Sequence, residues 1–308
     1  MEWNNTRLTR LQMCGERFRR HDVEGDPEPS NPRLVRGSVV HAVAKTVLRR
    51  KLDHGGANEA LPTLEETRDL AADMFEQTWS AEDVRLTDPD EDGTGLAAAK
   101  AEAKDFAVAV AGHHRLALAP RLRPIAIERR IVVKPRDSDL VIHGTLDVIT
   151  RPEHVPDVGP VFGSRNIGDH HDDTAVAPGT PAPGDTIRDL KTSEKSPNRN
   201  AADRSQQLSM YAMIRQAEVG KLAEALALDY LVRTPKRGEL KHVELTTVRD
   251  GNDLRALINR INIAVEGVKR GVFIPADPAM AWWCSRKWCG YWDTCPYVNG
   301  RQPPPREA

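Results

Sequence analysis

The stretch Thr186-Ile187-Arg188-Asp189-Leu190-Lys191-Thr192 carries the pattern on which the fold depends. In a β-strand, alternate side chains share a face, so Asp189 and Lys191 lie together. A carboxylate beside an ammonium is unsuited to a packed core face, but it suits a site that holds a divalent metal and steadies a water or a developing negative charge. Because an Asp-x-Lys tripeptide occurs by chance in many chains, it indicates a function only if other residues of the sequence can complete a site with it.

The overall composition excludes some classes of protein. The chain has 308 residues, of which 39% are apolar and 29% charged, with a formal net charge of -1. A net charge this close to zero gives no indication of a nucleic-acid partner, although a local basic groove is compatible with it. No apolar run approaches the roughly 20 residues that span a bilayer. Polar and basic residues such as Asn4 and Arg7 stand where a signal peptide is apolar, which predicts a cytoplasmic protein with no membrane segment.

Hydrophobic periodicity separates helical from extended segments. Helical spacing of apolar residues predicts helices over 5–20, 34–52, 63–79, 96–116, 199–218 and 252–271. Alternating and β-branched runs predict strands over 125–133, 141–150, 186–192, 226–232 and 240–247, with turns at Asp137–Ser138 and Pro235–Gly238. Thr63 and Glu66 match a capping box for the third helix. This order of elements indicates a mixed α/β fold.

The segment 151–185 differs in composition from its neighbours. It is rich in Pro, Gly and Asp and shows no sustained period, which predicts a long flexible insertion between strands. Within it, Asp169-His170-His171-Asp172-Asp173 has the residue types of metal ligands. Its place in the insertion favours a solvated loop.

Four short motifs follow one another in the chain: Gly37-x-x-x-His41, Gly144-x-x-Asp147, Asp189-x-Lys191 and Gln207-x-x-x-Tyr211. This ordered set resembles the RecB-type branch of the PD-(D/E)XK nuclease superfamily. With the cysteines of the chain, it is similar to the CRISPR-associated Cas-four and the helicase–nuclease AddB iron–sulfur exonucleases. The resemblance implies one nuclease domain over 1–308, with a restriction-endonuclease-like core sheet flanked by helices and a helical insertion over 53–120.

The residue types in these motifs suit phosphodiester hydrolysis. Asp147, Asp189 and His41 make an oxygen-rich site for Mg²⁺ or Mn²⁺, and Lys191 would orient the attacking water or balance charge on phosphorus. The resemblance implies that Gln207 and Tyr211 face the same cleft, where they hold the DNA strand or position Lys191. It also makes Glu128 a candidate for a group that contacts the metal ligands.

Each motif residue also has an ordinary structural interpretation. Alone, His41 would be a helix histidine, Asp147 a turn cap, and Asp189–Lys191 an exposed strand pair of little energetic weight. Basic residues in the runs 17–20 and 49–51 suit a phosphate backbone or a solvated helix face equally well.

The four cysteines, Cys14, Cys284, Cys289 and Cys295, supply thiolates for a 4Fe–4S cluster or for Zn²⁺. We favour iron–sulfur because structural zinc sites usually contain Cys-x₂-Cys pairs, which this chain lacks. A cluster would join the tail, 273–300, to Cys14 and so connect the chain ends. The tail tryptophans would shield such a cluster or stack on unpaired bases.

These patterns together predict a metal-dependent DNA exonuclease with an iron–sulfur tail; the preference for single-stranded DNA ends is implied by the resemblance. One alternative is a nucleic-acid-binding or adaptor protein that does not cut, although it has no chemical need for Asp147, Asp189 and Lys191. Another is a nuclease subunit that works only with a helicase or a CRISPR adaptation partner. The sequence contains no Walker phosphate loop, so a motor would be a separate protein.

Overall fold

A mixed β-sheet is the framework of the molecule. A computed structural model describes residues 2–86, 95–135, 139–151 and 184–298, and within these ranges six strands form one sheet with helices on both faces. This arrangement confirms the predicted mixed α/β class with a restriction-endonuclease-like sheet. The strands are β1 (Glu2–Trp3), β2 (Pro124–Val133), β3 (Val141–Thr150), β4 (Thr186–Ser193), β5 (Ala225–Arg233) and β6 (Leu240–Thr247).

The helices are α1 (Asn5–Met13), α2 (Gly15–Phe18), α3 (Pro32–Asp53), α4 (Leu64–Ala81), α5 (Leu96–His113), α6 (Gln206–Val219) and α7 (Gly251–Lys269). The predicted capping box is present: the side chains of Thr63 and Glu66 each bond the other's backbone N–H at the start of α4. No helix in the described ranges is long and apolar enough to cross a membrane.

Two helix predictions need correction. The helix predicted over 5–20 is interrupted at Cys14, whose backbone is extended because the tail supplies the partner of the next amide: Gly15 N donates to Ile274 O at 2.7 Å. The helix predicted over 199–218 begins only at Gln206. The Ser205 hydroxyl accepts from Leu208 N and fixes that start, and the residues before it form turns.

The third strand, β3, has three partners. β2 pairs antiparallel along one edge. On the other edge, β1 pairs parallel at Val141–Ile142, and β4 pairs antiparallel at Val148–Thr150. Between these two contacts, residues 143–147 have no strand partner on this edge in the described sheet. The sheet therefore has an opening beside β3, and it continues through β4 to β5 in parallel and to β6 antiparallel across the predicted Pro235–Gly238 turn.

Two hydrophobic layers cover the sheet. One face packs against α3, α4 and α5 through a cluster that includes Phe75 and Phe106. The other face packs against α1, α6 and α7 through a cluster that includes Leu208. Leu190 belongs to the first layer and Ile187 to the second, so β4 is buried on both sides. Polar side chains on this strand are consequently held in place by packing.

Several predictions about segments stay predictions. The segment 53–120, predicted as a helical insertion, is described except for 87–94 and supplies α4 and α5 to the first layer. Of the predicted insertion 151–185, only residues 151, 184 and 185 are described, so its Asp169–Asp173 run lies outside the described residues. The turn at Asp137–Ser138 includes positions outside them as well.

The C-terminal tail, residues 272–298, docks on the N-terminal segment. Beside the hydrogen bond from Gly15 to Ile274, Trp283 Nε1 donates to Met13 O at 3.0 Å. Further contacts join Arg20 to Tyr291 and Thr294, and Glu28 to Gly290. The two ends of the described chain therefore hold each other.

The tightest of these contacts generates a prediction about stability. A Cβ added at Gly15 would lie 2.4 Å from Ile274 N and 2.5 Å from the carbonyl carbon of Phe273, both backbone atoms. Gly15→Ala should therefore push the tail away and lower the free energy of unfolding by about 1–3 kcal/mol, measured by urea denaturation.

Gly267→Ala is the matched control. This glycine lies inside α7, and an added Cβ would meet nothing within 4 Å. We expect that variant to be stabilised by roughly 0.5–1 kcal/mol, since alanine favours a helix interior. Equal stability of Gly15→Ala and the wild type would refute the close docking of the tail.

Candidate active site

The opening beside β3 brings two predicted carboxylates together. The pairing of β3 with β4 runs from Thr150–Thr186 to Val148–Arg188 and ends there. Asp147 and Asp189 are the next residues on the two strands, where the strands part. The gap is bridged by one hydrogen bond, in which Leu190 N donates to Asp147 Oδ2 at 3.0 Å.

Asp189 is buried, with 1% of its surface exposed, and neither carboxylate oxygen accepts a hydrogen bond. Lys191 Nζ lies 2.6 Å from Oδ2 as an ion pair, outside hydrogen-bond geometry. Burial raises the pKa of Asp189 to about 6, and the negative charge of Asp147 adds to the effect while Lys191 opposes it. A buried carboxylate with free lone pairs is unfavourable unless a cation approaches it.

His41 reaches the same opening from α3. Its Nδ1 lies 3.4 Å from Asp147 Oδ2. Burial disfavours the imidazolium, but the contact with Asp147 and the charge of Asp189 outweigh burial and raise the pKa of His41. One turn earlier, Gly37 faces Thr192, whose Oγ1 would lie 3.5 Å from an added Cβ. The predicted Gly37–His41 motif thus lies at the contact between α3 and β4.

Lys191 is positioned from α6. Its Nζ donates to Gln207 Oε1 at 2.7 Å, and Gln207 Nε2 donates to the Tyr211 hydroxyl at 2.7 Å. Tyr211 is 6% exposed, and burial together with the nearby carboxylates raises its pKa, so the phenol stays neutral. Gly144 allows β3 to approach this helix, since an added Cβ would lie 2.7 Å from Ile214 Cδ1.

Glu128 has the most unusual backbone of the candidates. Its φ of 51° is positive, which is rare for a residue with a side chain. The register that pairs Ile127 with Val148 and Arg129 with Leu146 sets Glu128 opposite Asp147. Burial, and then the charge of Asp147, raise the pKa of Glu128. Such strain within a strand is typical of functional sites, and it supports a role for this glutamate beside Asp147.

A groove of about 640 Å³ leads from the surface to this site and is lined by Gly37, His41, Lys45, Glu128 and Thr192. The groove therefore reaches the site at His41 and Glu128, which lie beside Asp147. In the described ranges, however, no group of three or more His, Cys, Asp or Glu side chains is arranged to hold a metal ion as it stands. Whether a metal ion suits this site therefore depends on the chemistry of its donor atoms, above all the two Asp189 oxygens that accept no hydrogen bond.

The sequence did not reveal a buried polar network behind the site. Asp229, on β5, contacts Arg188 at 3.1 Å and His242 at 2.8 Å, and Arg188 also pairs with Glu244. A small cavity of about 20 Å³ lies between this network and Asp147, and His114 lines it as well. Its volume is sufficient for about one water molecule. The sequence contained a weak signal of this network, because Arg188 and Asp229 are charged residues within otherwise apolar strands.

The four cysteines are half-buried, Cys14 in the N-terminal segment and the other three in the tail, and in the described ranges they are not arranged as a metal-binding group. Ala276 contacts two of them: its N–H donates to Cys14 Sγ at 3.4 Å, and its carbonyl oxygen lies 3.8 Å from Cys284 Sγ. Burial raises the pKa of Cys289 to about 11, and burial followed by the charge of neighbouring thiols raises that of Cys284. Thiols in such surroundings stay protonated unless a metal supplies positive charge.

Comparisons with known proteins agree with this geometry at the level of family. The sequence model of the PD-(D/E)XK nuclease superfamily matches residues 2–158 and 182–296. A search of curated proteins finds no match. The solved structure described as "Crystal structure of SSO0001" is 13% identical, and the alignment covers 96% of this chain and 85% of that chain with a TM-score of 0.39. A likeness this distant supports no argument about function.

The buried imidazole of His114 generates a prediction about pH. Burial lowers its pKa to about 4, so it is neutral in the folded chain. An unfolded histidine has a pKa near about 6.5, and the unfolded state therefore binds the proton more tightly. Stability is fully present above about pH 6.5 and falls as the pH drops towards 4, by on the order of 3 kcal/mol.

The variant His114→Gln cannot titrate and should show a flatter dependence of unfolding free energy on pH in this window. Urea denaturation at a series of pH values measures it. His54→Gln, at the exposed end of α3, should keep the steep dependence of the wild type. Identical curves for the wild type and His114→Gln would contradict the prediction.

Proposed function

The chain belongs to the PD-(D/E)XK nuclease superfamily, and from this premise we propose that it is a metal-dependent DNA exonuclease that hydrolyses phosphodiester bonds at single-stranded ends. We place it in the RecB-type, Cas-four-like branch. The observation that carries the proposal is a buried carboxylate without hydrogen bonds, Asp189, beside Lys191 where β3 and β4 part.

The donors at this opening suit Mg²⁺ or Mn²⁺. Asp189 and Asp147 would hold the ion through carboxylate oxygens, and His41 would add an imidazole nitrogen. Hard oxygen donors with one nitrogen are typical of sites for these ions. When bound, such an ion polarises the phosphodiester and lowers the pKa of an attacking water. Glu128, opposite Asp147, would help to orient that carboxylate or the water.

Lys191 would act on the phosphate directly. The Lys191 ammonium has three N–H donors. One donates to Gln207, and the ammonium also forms an ion pair with Asp189. A further N–H remains for a phosphate oxygen or for the attacking water. A positive charge held in a partly buried site stabilises the negative charge that develops on the phosphoryl oxygens.

Gln207 and Tyr211 would position Lys191. The Gln207 oxygen accepts from Lys191 only in the amide orientation that points Nε2 at Tyr211. Tyr211 is held by its packing under β3, so the whole relay has one favoured geometry. Catalysis depends on such preorganised charges, because they need no rearrangement during the reaction.

We propose further that the cysteines Cys14, Cys284, Cys289 and Cys295 hold a structural 4Fe–4S cluster, with Zn²⁺ as the alternative. The shared contacts of Cys14 and Cys284 with Ala276 support this. The cluster would supply the positive charge that half-buried thiolates need. The cytoplasm is the compartment that we propose, since thiols stay reduced there.

The first test is degradation of end-labelled single-stranded DNA with Mg²⁺ or Mn²⁺ by protein purified without oxygen. Lys191→Ala should lower the rate by about 10²–10³-fold, because it removes an electrostatic stabiliser of the transition state. Calorimetry should show that this variant still binds Mn²⁺, whereas Asp189→Asn should lose both binding and cleavage.

Lys269→Ala is the control, since this lysine lies exposed on α7 and pairs with surface Glu266. It should cut like the wild type. Equal activity in the Lys191→Ala variant would show that the active site is elsewhere. No cleavage by any protein, with DNA still bound, would favour the adaptor or the subunit that needs a helicase or CRISPR adaptation partner.

The second test concerns the cluster. Protein purified without oxygen should contain about four iron and four sulfide per chain. Cys14→Ser should lose most of both and unfold at a lower temperature, because the tail is then no longer tied to the N-terminal segment. Ser285→Ala, in the same tail, should keep the iron and the melting temperature. Zinc in place of iron, or unchanged metal content in Cys14→Ser, would contradict the assignment.

A further inference from the structure

Two tryptophans of the tail present their rings to solvent. Trp282 is 67% exposed and Trp288 43% exposed, and their ring centroids lie 5.2 Å apart in an edge-to-face arrangement. Trp283 packs beside Trp282 and is anchored by its hydrogen bond to Met13. Aromatic side chains normally bury most of their large surface. A fixed pair that remains exposed therefore indicates a surface that binds something.

These rings form one wall of a large groove. The groove has a volume of about 700 Å³, and its other walls are the start of α3, the side of α5 and the turn after β5. Its charged lining consists of five basic residues, Arg17, Arg33, Arg36, Arg233 and Lys287, and two acidic residues, Glu102 and Glu194. Glu194 already pairs with Arg36 at 2.5 Å. The groove thus combines aromatic faces with a surplus of positive charge, which suits a polyanion with flat bases.

This groove continues into the groove of the candidate active site. Arg33 and Leu34 line both, so the two grooves meet at the first turn of α3. Arg33 also lies over the Trp288 ring, 5.8 Å from its centroid. From Arg33 to His41 the helix rises about 12 Å, the length of roughly three to four stacked nucleotides. A strand that contacts the tryptophans can therefore reach His41 along α3, and His41 lies beside Asp147.

We propose that this groove binds single-stranded DNA and leads its end to the active site, with Trp282 and Trp288 stacking on bases and Arg33 holding a phosphate at the junction. The direction of the bound strand, with its end at the active site, rests on the proposed nuclease function. The binding of single-stranded DNA in the groove does not. Duplex bases already stack on each other and offer no faces to these rings. The arrangement therefore selects an unpaired strand.

The test measures binding without cleavage. In EDTA, the anisotropy of a fluorescent oligo(dT) of 15 nucleotides reports affinity, and the protein's own tryptophan emission reports stacking. The double variant Trp282→Ala, Trp288→Ala should bind oligo(dT) roughly 10- to 100-fold more weakly and should lose the quenching of emission. Trp288→Phe, which keeps a ring, should retain most of the affinity. Tyr297→Ala, which removes an exposed tail aromatic outside the groove, should bind like the wild type.

A second measurement separates this inference from the nuclease assignment. With Mn²⁺, the double variant should hydrolyse the nitrophenyl ester of thymidine phosphate at the wild-type rate, because that small ester does not reach the tryptophans. Weaker oligo(dT) binding supports the groove even if no protein cleaves DNA. If the double variant keeps the wild-type affinity and quenching, the groove does not bind DNA as proposed, whereas the proposed nuclease function is unaffected.

Two further outcomes would also reject the proposal. Duplex DNA or an RNA oligonucleotide bound more tightly than oligo(dT) would show that the lining does not select unpaired DNA. Sedimentation that shows self-association of the wild type, lost in the double variant with no change in oligo(dT) affinity, would assign the exposed rings to a contact between copies of the chain. Matching melting temperatures of all variants ensure that these results report binding.

Discussion

The buried carboxylate of Asp189 is the constraint on which the rest of the structure depends. Its strand is buried on both faces, so the side chain cannot turn towards water, and its two oxygens accept no hydrogen bond. Burial of a charge is costly, and Lys191, 2.6 Å from Oδ2, offsets part of that cost. The packing of β4 therefore maintains a site that favours a cation, and the stability of the surrounding layers makes this arrangement possible.

The topology of the sheet creates the space that such a site needs. Because β1 and β4 share one edge of β3 without meeting, the backbone leaves an opening where Asp147 stands. Helices on opposite faces then contribute different chemistry: α3 brings His41 to the carboxylates, and α6 brings Gln207 and Tyr211 to Lys191. The close approach of β3 to α6 requires a residue without a side chain at Gly144, because an added Cβ would lie 2.7 Å from Ile214 Cδ1.

The sequence predicted those parts of the fold and site that depend on local spacing. Strand alternation placed Asp189 with Lys191, and helical spacing placed Gln207 with Tyr211. It did not predict β1, whose two residues are too few to show a period, or the break at Cys14, which a contact with Ile274 imposes from the far end of the chain. The Asp229 network and the groove were equally hidden, because they depend on which distant elements pack together.

The tail connects stability with the proposed path of the DNA strand. Trp283 binds the N-terminal segment at Met13, and its neighbour Trp282 lines the groove that meets the groove of the candidate active site. Cys14 follows Met13 directly, so the proposed cluster and the groove share one wall. The candidate catalytic residues lie instead on the sheet and on α3 and α6, which have their own hydrophobic layers. Damage at the cysteines should therefore affect how DNA reaches the site before it affects the chemistry there.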